Sequence, residues 1–365
     1  MKIDIIAGAR PNFVKIAPII NQIKNKKEIG IDIDYRLIHT GQHYDDSMSK
    51  NFFKDLDIPL PDINLNVGSS SHAKQTADIM IGYEKILFKE KPDLCLVVGD
   101  VNSTMACAIV AKKMNINVAH VEGGIRSNDF SMPEEINRIV TDSISDYFFT
   151  TSKNANQNLL NCGVKQDKIF FVGNVMIDTL KKQFDKFEEP SFYKNFGLDT
   201  KKFFVLTLHR PSNVDNISKL SELLCLINDN VGRLPIIFPI HPRTSQNFEK
   251  CDKEFKNIIT VPPLSYLQFN FLVKNSKGII TDSGGITEEA TVLNIPCITL
   301  RDNTERPETV EIGTNELVGD NKEKIILSLS KILDDNWKKS LIPELWDGCA
   351  AERIIDKLLE IKFEK

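Results

Sequence analysis

The segment Thr281-Asp282-Ser283-Gly284-Gly285-Ile286-Thr287-Glu288-Glu289 sets a hydroxyl, two glycines and carboxylates where an apolar run gives way to a helical pattern. A strand that passes through glycines into a helix leaves free backbone N–H groups and the positive end of a helix dipole aimed at one spot, a seat for an anion. Gly284 and Gly285 let a phosphate approach the backbone, and Ser283 adds a hydroxyl donor. A bare Ser-Gly-Gly also suits a plain strand-to-helix turn. Here Glu289 follows at the reach of a ribose hydroxyl, and Arg306 follows inside Thr304-Glu305-Arg306-Pro307-Glu308. The segment reads as the diphosphate and ribose seat for a nucleotide.

Ligands of open α/β sheets lie beyond the carboxyl ends of the strands. The polar residues at such ends are Arg10, then Gln42 and His43, then Asp100, and then Glu122 with Arg126 close behind. Lys15 lies about one turn into the helix after Arg10. Glu134 and Glu135 open a helix that carries Arg138, and His209, Arg210, His241 and Arg243 follow in the second half. Asp100, Glu122, Glu134 and His209 are the candidate acid–base groups. Each has a structural alternative. Asp100 can cap a helix beginning near Ser103. Glu134 can answer a helix dipole. Glu122 ends an apolar strand, where a carboxylate is costly unless paired, which favours a functional role. Glu135 and Arg138 suit an exposed helical ion pair, His120 a packed strand position, His72 the surface, and Phe269 the core.

Apolar runs alternate with helical patterns along nearly the whole chain. Strands are expected at 3–7, 34–39, 94–99, 118–122, 147–151 and 169–172, and after a gap at 203–208, 236–240, 258–261, 278–281 and 297–300. Many are continuously apolar, as strands covered on both faces are. Phe13, Ile16, Ala17, Ile20 and Ile23 mark one helix face, and Ile136, Ile139, Val140 and Ile144 another. Two βα series predict an α/β protein with two Rossmann-like, doubly wound domains. The expected division is 1–174 with a returning helix at 350–365, and 175–349, with a polar break around 181–202. No G-x-G-x-x-G and no G-x-x-x-x-G-K-[ST] occurs, which disfavours NAD and P-loop chemistry.

Lys plus Arg, at 46, does not exceed Asp plus Glu, at 50, so no electrostatic case exists for nucleic acid or an anionic membrane. Seven scattered cysteines lack a C-x-x-C and suggest reduced thiols. The first residues read as a strand and no membrane-spanning run occurs, so the expected location is cytoplasmic. Ligand-spaced His and carboxylate pairs, H-E-x-x-H and G-x-S-x-G are all missing, so neither a metal site nor a serine hydrolase is expected.

Together the motifs resemble the non-hydrolysing UDP-N-acetylglucosamine 2-epimerase family. They are Gly8-Ala9-Arg10-Pro11, Thr40-Gly41-Gln42-His43, Gly99-Asp100, His120-Val121-Glu122-Gly123-Gly124-Ile125-Arg126-Ser127, Pro133-Glu134-Glu135-Ile136-Asn137-Arg138, Gly173-Asn174, His209-Arg210, His241-Pro242, Asp282-Ser283-Gly284-Gly285 and Thr304-Glu305-Arg306-Pro307-Glu308. The resemblance implies a GT-B-like fold with a cleft between its domains, and reversible inversion at C2 of UDP-N-acetylglucosamine by anti elimination and re-addition of UDP. It further implies a homodimer without cofactor, serving surface polysaccharide synthesis. By resemblance Phe269 stacks on uracil, Glu289 holds the ribose, and Arg306 and Lys15 face diphosphate or sugar. Gln42, His43 and Arg210 would touch a second, allosteric UDP-sugar. The chain departs from the family pattern at Pro211, where an arginine is usual, so a modified UDP-2-acetamido sugar is an alternative substrate. Hydrolytic release of N-acetylmannosamine, a GT-B glycosyltransferase and a silent UDP-sugar-binding regulator are further alternatives.

Overall fold

The computed structural model describes residues 1–41, 53, 55–251 and 253–362, and at Arg10, Pro242 and Arg243 the backbone alone. Gln42 and His43 lie outside the described residues. The chain forms two compact units, Met1–Lys182 with Glu344–Lys365, and Gln183–Pro343.

The first unit holds strands β1 (Lys2–Ala7), β2 (Asp34–His39), β3 (Ile63–Asn64), β4 (Leu94–Val98), β5 (Asn117–Val121), β6 (Tyr147–Thr150) and β7 (Ile169–Phe171). They pair in parallel in the order β3-β2-β1-β4-β5-β6-β7. The order reverses between β1 and β4, the switch point at which such sheets bind ligands. Leu94–Val98 is buried at every residue, which accounts for its unbroken apolar sequence. The helix Arg10–Glu28 buries Phe13, Ile16, Ala17, Ile20 and Ile23 as its periodicity predicts.

The second unit repeats the plan with β8 (Phe204–Thr207), β9 (Ile236–Pro239), β10 (Ile258–Val261), β11 (Gly278–Thr281), β12 (Cys297–Thr299) and β13 (Asn315–Leu317). Their order is β10-β9-β8-β11-β12-β13, again wholly parallel, with the switch between β8 and β11. All eleven expected strands are present, and β3 and β13 are additions. These two edge strands, of two and three residues, are too short to show a period.

The first unit extends past the expected boundary at 174 because helix Val175–Gln183 is bound into it. Thr179 Oγ1 donates to Val14 O at 2.6 Å, and Asp178 accepts the N–H groups of Ala350 and Ala351 at 3.1 and 2.7 Å. That carboxylate caps the returning helix Ala350–Glu360, whose Ile354, Ile355 and Leu358 are buried. Burial pushes the Asp178 carboxyl up to about 6 despite those bonds. Trp346, whose Nε1 donates to Thr151 O, attaches the preceding turn.

One helix inverts the expectation. In Pro133–Ile144 the buried residues are Glu135, Asn137, Arg138, Thr141 and Asp142, while Ile136 is 49% exposed. Of the apolar stripe read as a core face, Ile139, Val140 and Ile144 are only half-buried, Ile144 packing against the first unit's core, and it is the polar face that is fully buried. All seven cysteines are free. Among the described residues no helix is long and apolar enough to cross a membrane.

Candidate functional site

In the first unit two carboxylates leave adjacent strands. Asp100 follows β4 and Glu122 follows β5, and Gly99 N donates to Val121 O at 3.1 Å across the gap. Glu122 has a φ of 70°, a left-handed backbone that a non-glycine residue adopts only under constraint. Its N–H is tied to Phe149 O at 2.9 Å. Its Oε2 meets Lys15 Nζ at 2.5 Å, with the two side chains 3% and 12% exposed. A Cβ on Gly99 would stand 3.0 Å from that ammonium and 3.8 Å from Glu122 Oε2, so the glycine makes room for the pair. Lys15 therefore turns to Glu122, a partner the sequence did not suggest.

Asp100 does not cap a helix. The helix Asn102–Lys113 starts after Val101 with no side-chain cap. Asp100 Oδ2 instead accepts Arg138 Nε at 3.0 Å and Nη2 at 2.9 Å, and its carbonyl accepts Asn137 Nδ2 at 2.9 Å. Arg138 also bonds Glu135, and these two side chains are 5% and 1% exposed, a buried pair rather than the surface pair expected. Glu135 additionally accepts Ser127 N, Ser127 Oγ and Asn128 N, each at 3.0 Å. Asp100 itself keeps 31% side-chain exposure, so its carboxylate is held firmly yet stays reachable. Glu134 is half-buried in the first turn of the same helix, beside the positive end of its dipole.

Beneath these groups lies a dyad. His120 is fully buried, with Nδ1 2.7 Å from Asp142 Oδ1 and Nε2 2.9 Å from Gly99 O. Asp142 also accepts Gly124 N at 3.0 Å and Arg126 Nη1 at 2.6 Å. Burial acts to raise the Asp142 carboxyl, but the bonds and charges of His120 and Arg126 prevail and hold it below its ordinary range. His120 is thus packed, as expected, and also bonded through both nitrogens.

The second unit brings its residues to the β8–β11 switch. Asp282, wholly buried at the end of β11, accepts His209 Nδ1 at 2.7 Å, Arg210 N at 2.9 Å, His209 N at 3.1 Å and Asn213 Nδ2 at 3.2 Å. Burial opposes ionisation there, yet His209 and the two backbone N–H groups outweigh it and hold the carboxyl below its usual range. His209 is 56% exposed, its ring oriented from behind by Asp282. Arg210 Nε donates to Asp282 O at 3.2 Å.

Ser283 is the N-cap of the nine-residue helix Gly284–Val292 and makes no side-chain cap bond. Its own N–H is already used, donating to Thr281 Oγ1 at 2.9 Å. Nothing stands within 4 Å of a Cβ built on Gly285, so an anion has open access to this helix start. Behind the turn, Arg301 grips Glu305 with Nη1 and Nη2 at 2.9 and 2.7 Å.

Of three expected ligand residues, two are buried and one is half-buried. Arg306 is buried and bonds Glu288 through Nε. Glu289 is buried, and that burial pushes its carboxyl up to about 7 against the bonds from Tyr266 and Asn270. Phe269 packs against the cores around Leu272 and Ala290. In sum the first unit unites Lys15, Asp100 and Glu122, and the second unites His209, Arg210 and the Ser283-Gly284-Gly285 turn. Sequence reasoning missed Asp282 and Asp142 as orienting groups. The available signal was an acid at the end of an apolar strand, and an acid among isoleucines. Among the described residues no group of three His, Cys, Asp or Glu side chains could hold a metal ion.

A family model described as UDP-N-acetylglucosamine 2-epimerase matches residues 24–359. The UDP-N-acetylglucosamine 2-epimerase of Methanocaldococcus jannaschii is 46% identical over the full length of both chains. The UDP-2,3-diacetamido-2,3-dideoxy-D-glucuronate 2-epimerase of Pseudomonas aeruginosa is 38% identical over 99% of this chain and 100% of its own. A crystal structure of the Methanocaldococcus jannaschii UDP-GlcNAc 2-epimerase, in complex with UDP-GlcNAc and UDP, aligns with a TM-score of 0.88. It is 45% identical and the match covers 99% of this chain and 100% of that one.

Proposed function

Because this chain belongs to the UDP-N-acetylglucosamine 2-epimerase family, we propose that it interconverts UDP-N-acetylglucosamine and UDP-N-acetylmannosamine by elimination and re-addition of UDP. The observation that carries this reading is the placement of Asp100 and Glu122 at the ends of adjacent strands, each carboxylate held by its own cation.

The C2 hydrogen is not beside a carbonyl, so removing it alone would leave a poorly stabilised carbanion. In elimination a carboxylate takes the C2 proton while the C1–O electron pair leaves with UDP, and a C1–C2 double bond forms. Ser283, the N–H groups of Gly284 and Gly285, and His209 are proposed to receive the departing diphosphate. Such pre-aimed donors stabilise charge as it develops. In the reverse step UDP oxygen rebinds C1 and a proton is delivered to the opposite face of C2. Asp100, Glu122 and Glu134 are the proposed proton carriers, and such groups contribute about 10²–10⁴-fold each. Glu289 is the proposed ribose ligand, Phe269 the uracil contact, and Arg10, Lys15 and Arg306 the cations near diphosphate or sugar. Lys15 acts there through Glu122.

A modified UDP-2-acetamido sugar is the second reading. It is favoured by the likeness to the Pseudomonas aeruginosa enzyme and by Pro211, which opens the short helix Pro211–Val214 where an added cation would have stood. A homodimer in the cytoplasm, as the family resemblance implies, completes the proposal.

Incubation with UDP-N-acetylglucosamine in deuterated water, without NAD and with chelator, tests the chemistry. Deuterium at C2 of both epimers is expected. Retention of the original hydrogen would refute elimination, and free N-acetylmannosamine would mark a hydrolysing enzyme.

A further inference from the structure

Both ring nitrogens of the buried His120 face acceptors, Gly99 O at 2.9 Å from Nε2 and Asp142 Oδ1 at 2.7 Å from Nδ1. A carbonyl oxygen only accepts, so Nε2 carries a hydrogen. At Nδ1 the hydrogen belongs to the ring or to the carboxyl. Asp142 Oδ2 already takes the Gly124 N–H and the Arg126 guanidinium, partners that favour the ionised carboxylate. A protonated carboxyl would weaken both bonds. The hydrogen therefore stays on Nδ1, and the ring holds two.

Around the ends of β4 and β5 the carboxylates Asp100, Glu122, Glu135 and Asp142 are each paired with a cation from Lys15, Arg126 and Arg138, so ionised carboxylates are the rule in this neighbourhood. Gly123 allows the close fit, since a Cβ there would stand 3.3 Å from Asp142 Oδ1 and 3.5 Å from His120 Nδ1.

We propose that His120 is a positioning residue held as an imidazolium, which fixes the Gly99-to-Asp100 turn through Nε2–H and supports the ionised Asp142 carboxylate through Nδ1–H. The proposal rests on the reading of Asp100 and Glu122 as the proton carriers. His120 touches no substrate in this role. It sets the backbone that carries Asp100 and the field in which Glu122, two residues further on, exchanges its proton.

Nitrogen-15 spectra of the full-length enzyme labelled at its six histidines test the charge directly. Two ring N–H signals for His120 are expected, one for each acceptor its ring faces. One N–H and one lone-pair nitrogen would overturn the proposal. Slow solvent exchange identifies the buried ring, so the spectrum stands even if a variant fails to fold. His120→Asn keeps a donor toward Asp142 and loses the one toward Gly99, while His120→Gln favours Gly99. For His120→Asn a fall in kcat of about tenfold is expected, with KM and UDP affinity within about twofold and partial recovery in His120→Gln. Soundly folded variants with the parental kcat would overturn the positioning role. Unchanged kcat in Glu122→Gln and Asp100→Asn would instead overturn the acid–base reading, while the spectrum still decides the charge of His120.

Discussion

Replacing Asp282 with asparagine tests how the second unit prepares His209. Oδ2 of Asp282 accepts Arg210 N at 2.9 Å, His209 N at 3.1 Å and Asn213 Nδ2 at 3.2 Å, while Oδ1 faces His209 Nδ1 at 2.7 Å. In Asp282→Asn the amide oxygen keeps the Oδ2 contacts, because three donors point at that position. The NH2 group is then forced toward Nδ1, where it can only donate. His209 must accept at Nδ1 and carry its hydrogen on Nε2, and its imidazolium form loses the carboxylate that supports it. The charge-assisted bond at stake is worth about 1.5–3 kcal/mol, or roughly 10–100-fold in rate. The expected result is a kcat lowered by that factor, with UDP affinity lowered as well because His209 is a proposed donor to the diphosphate. Stability should fall by only about 1 kcal/mol, since the backbone bonds survive. Epimer ratios followed by proton NMR give kcat, titration calorimetry gives UDP binding, and thermal melting checks the fold. A folded variant that turns over within twofold of the parent would refute the claim that Asp282 sets the state of His209.

The other predictions address separate groups. Glu122→Gln and Asp100→Asn should lower kcat by about 10²–10⁴-fold while leaving UDP binding within a few-fold, and Ser283→Ala should weaken UDP as well; binding by calorimetry beside initial rates separates the two patterns. Burial raises the Glu289 and Glu308 carboxyls from 4.5 to about 7, so the folded state binds their protons more tightly than the unfolded chain does. The stability these two groups contribute is therefore fully present below about 4.5 and is lost as pH rises through about 7, by on the order of 2–3 kcal/mol per group, and Glu308→Gln should flatten that part of the slope in a melting series. Asp178→Ala removes the acceptor of two N–H groups at the start of the returning helix and should cost about 1–2 kcal/mol, read as a lower melting temperature with hydrogen exchange fastest in Ala350–Glu360.

The parallel sheets were legible because strands covered on both faces must be apolar throughout, and Leu94–Val98 or Ile236–Phe238 leave no other pattern to read. The edge strands Ile63–Asn64 and Asn315–Leu317 were not, since two or three residues paired on one side carry no period. The turn proposed as the anion seat was legible for a local reason: a hydroxyl and two glycines between a strand and a helix define one geometry within a few residues. The acid–base half differs in kind. Asp100 and Glu122 could be named as acids at strand ends, but their partners come from elsewhere in the chain, Arg138 from one helix and Lys15 from another.

The helix Pro133–Ile144 shows why such partners escape a reading by periodicity. Its isoleucines follow a helical stripe, and a stripe is ordinarily buried because apolar surface is the cheapest to remove from water. Here the opposite face is buried, and each of its charges has an answer: Arg138 for Asp100 and Glu135, and Asp142 for His120, Arg126 and the Gly124 N–H. A polar face can go inward only when every charge on it is met, since one unmet buried charge costs more than an isoleucine gains. The pairing comes from residues 100, 120 and 126, which no local pattern links to the helix. What the arrangement provides is a paired, buried floor beneath two carboxylates, at the expense of an exposed Ile136 and a stripe that is only half-buried. Substituting Ile136 with a polar residue should thus leave the floor intact, whereas substituting Arg138 should loosen Asp100 and Glu135 together.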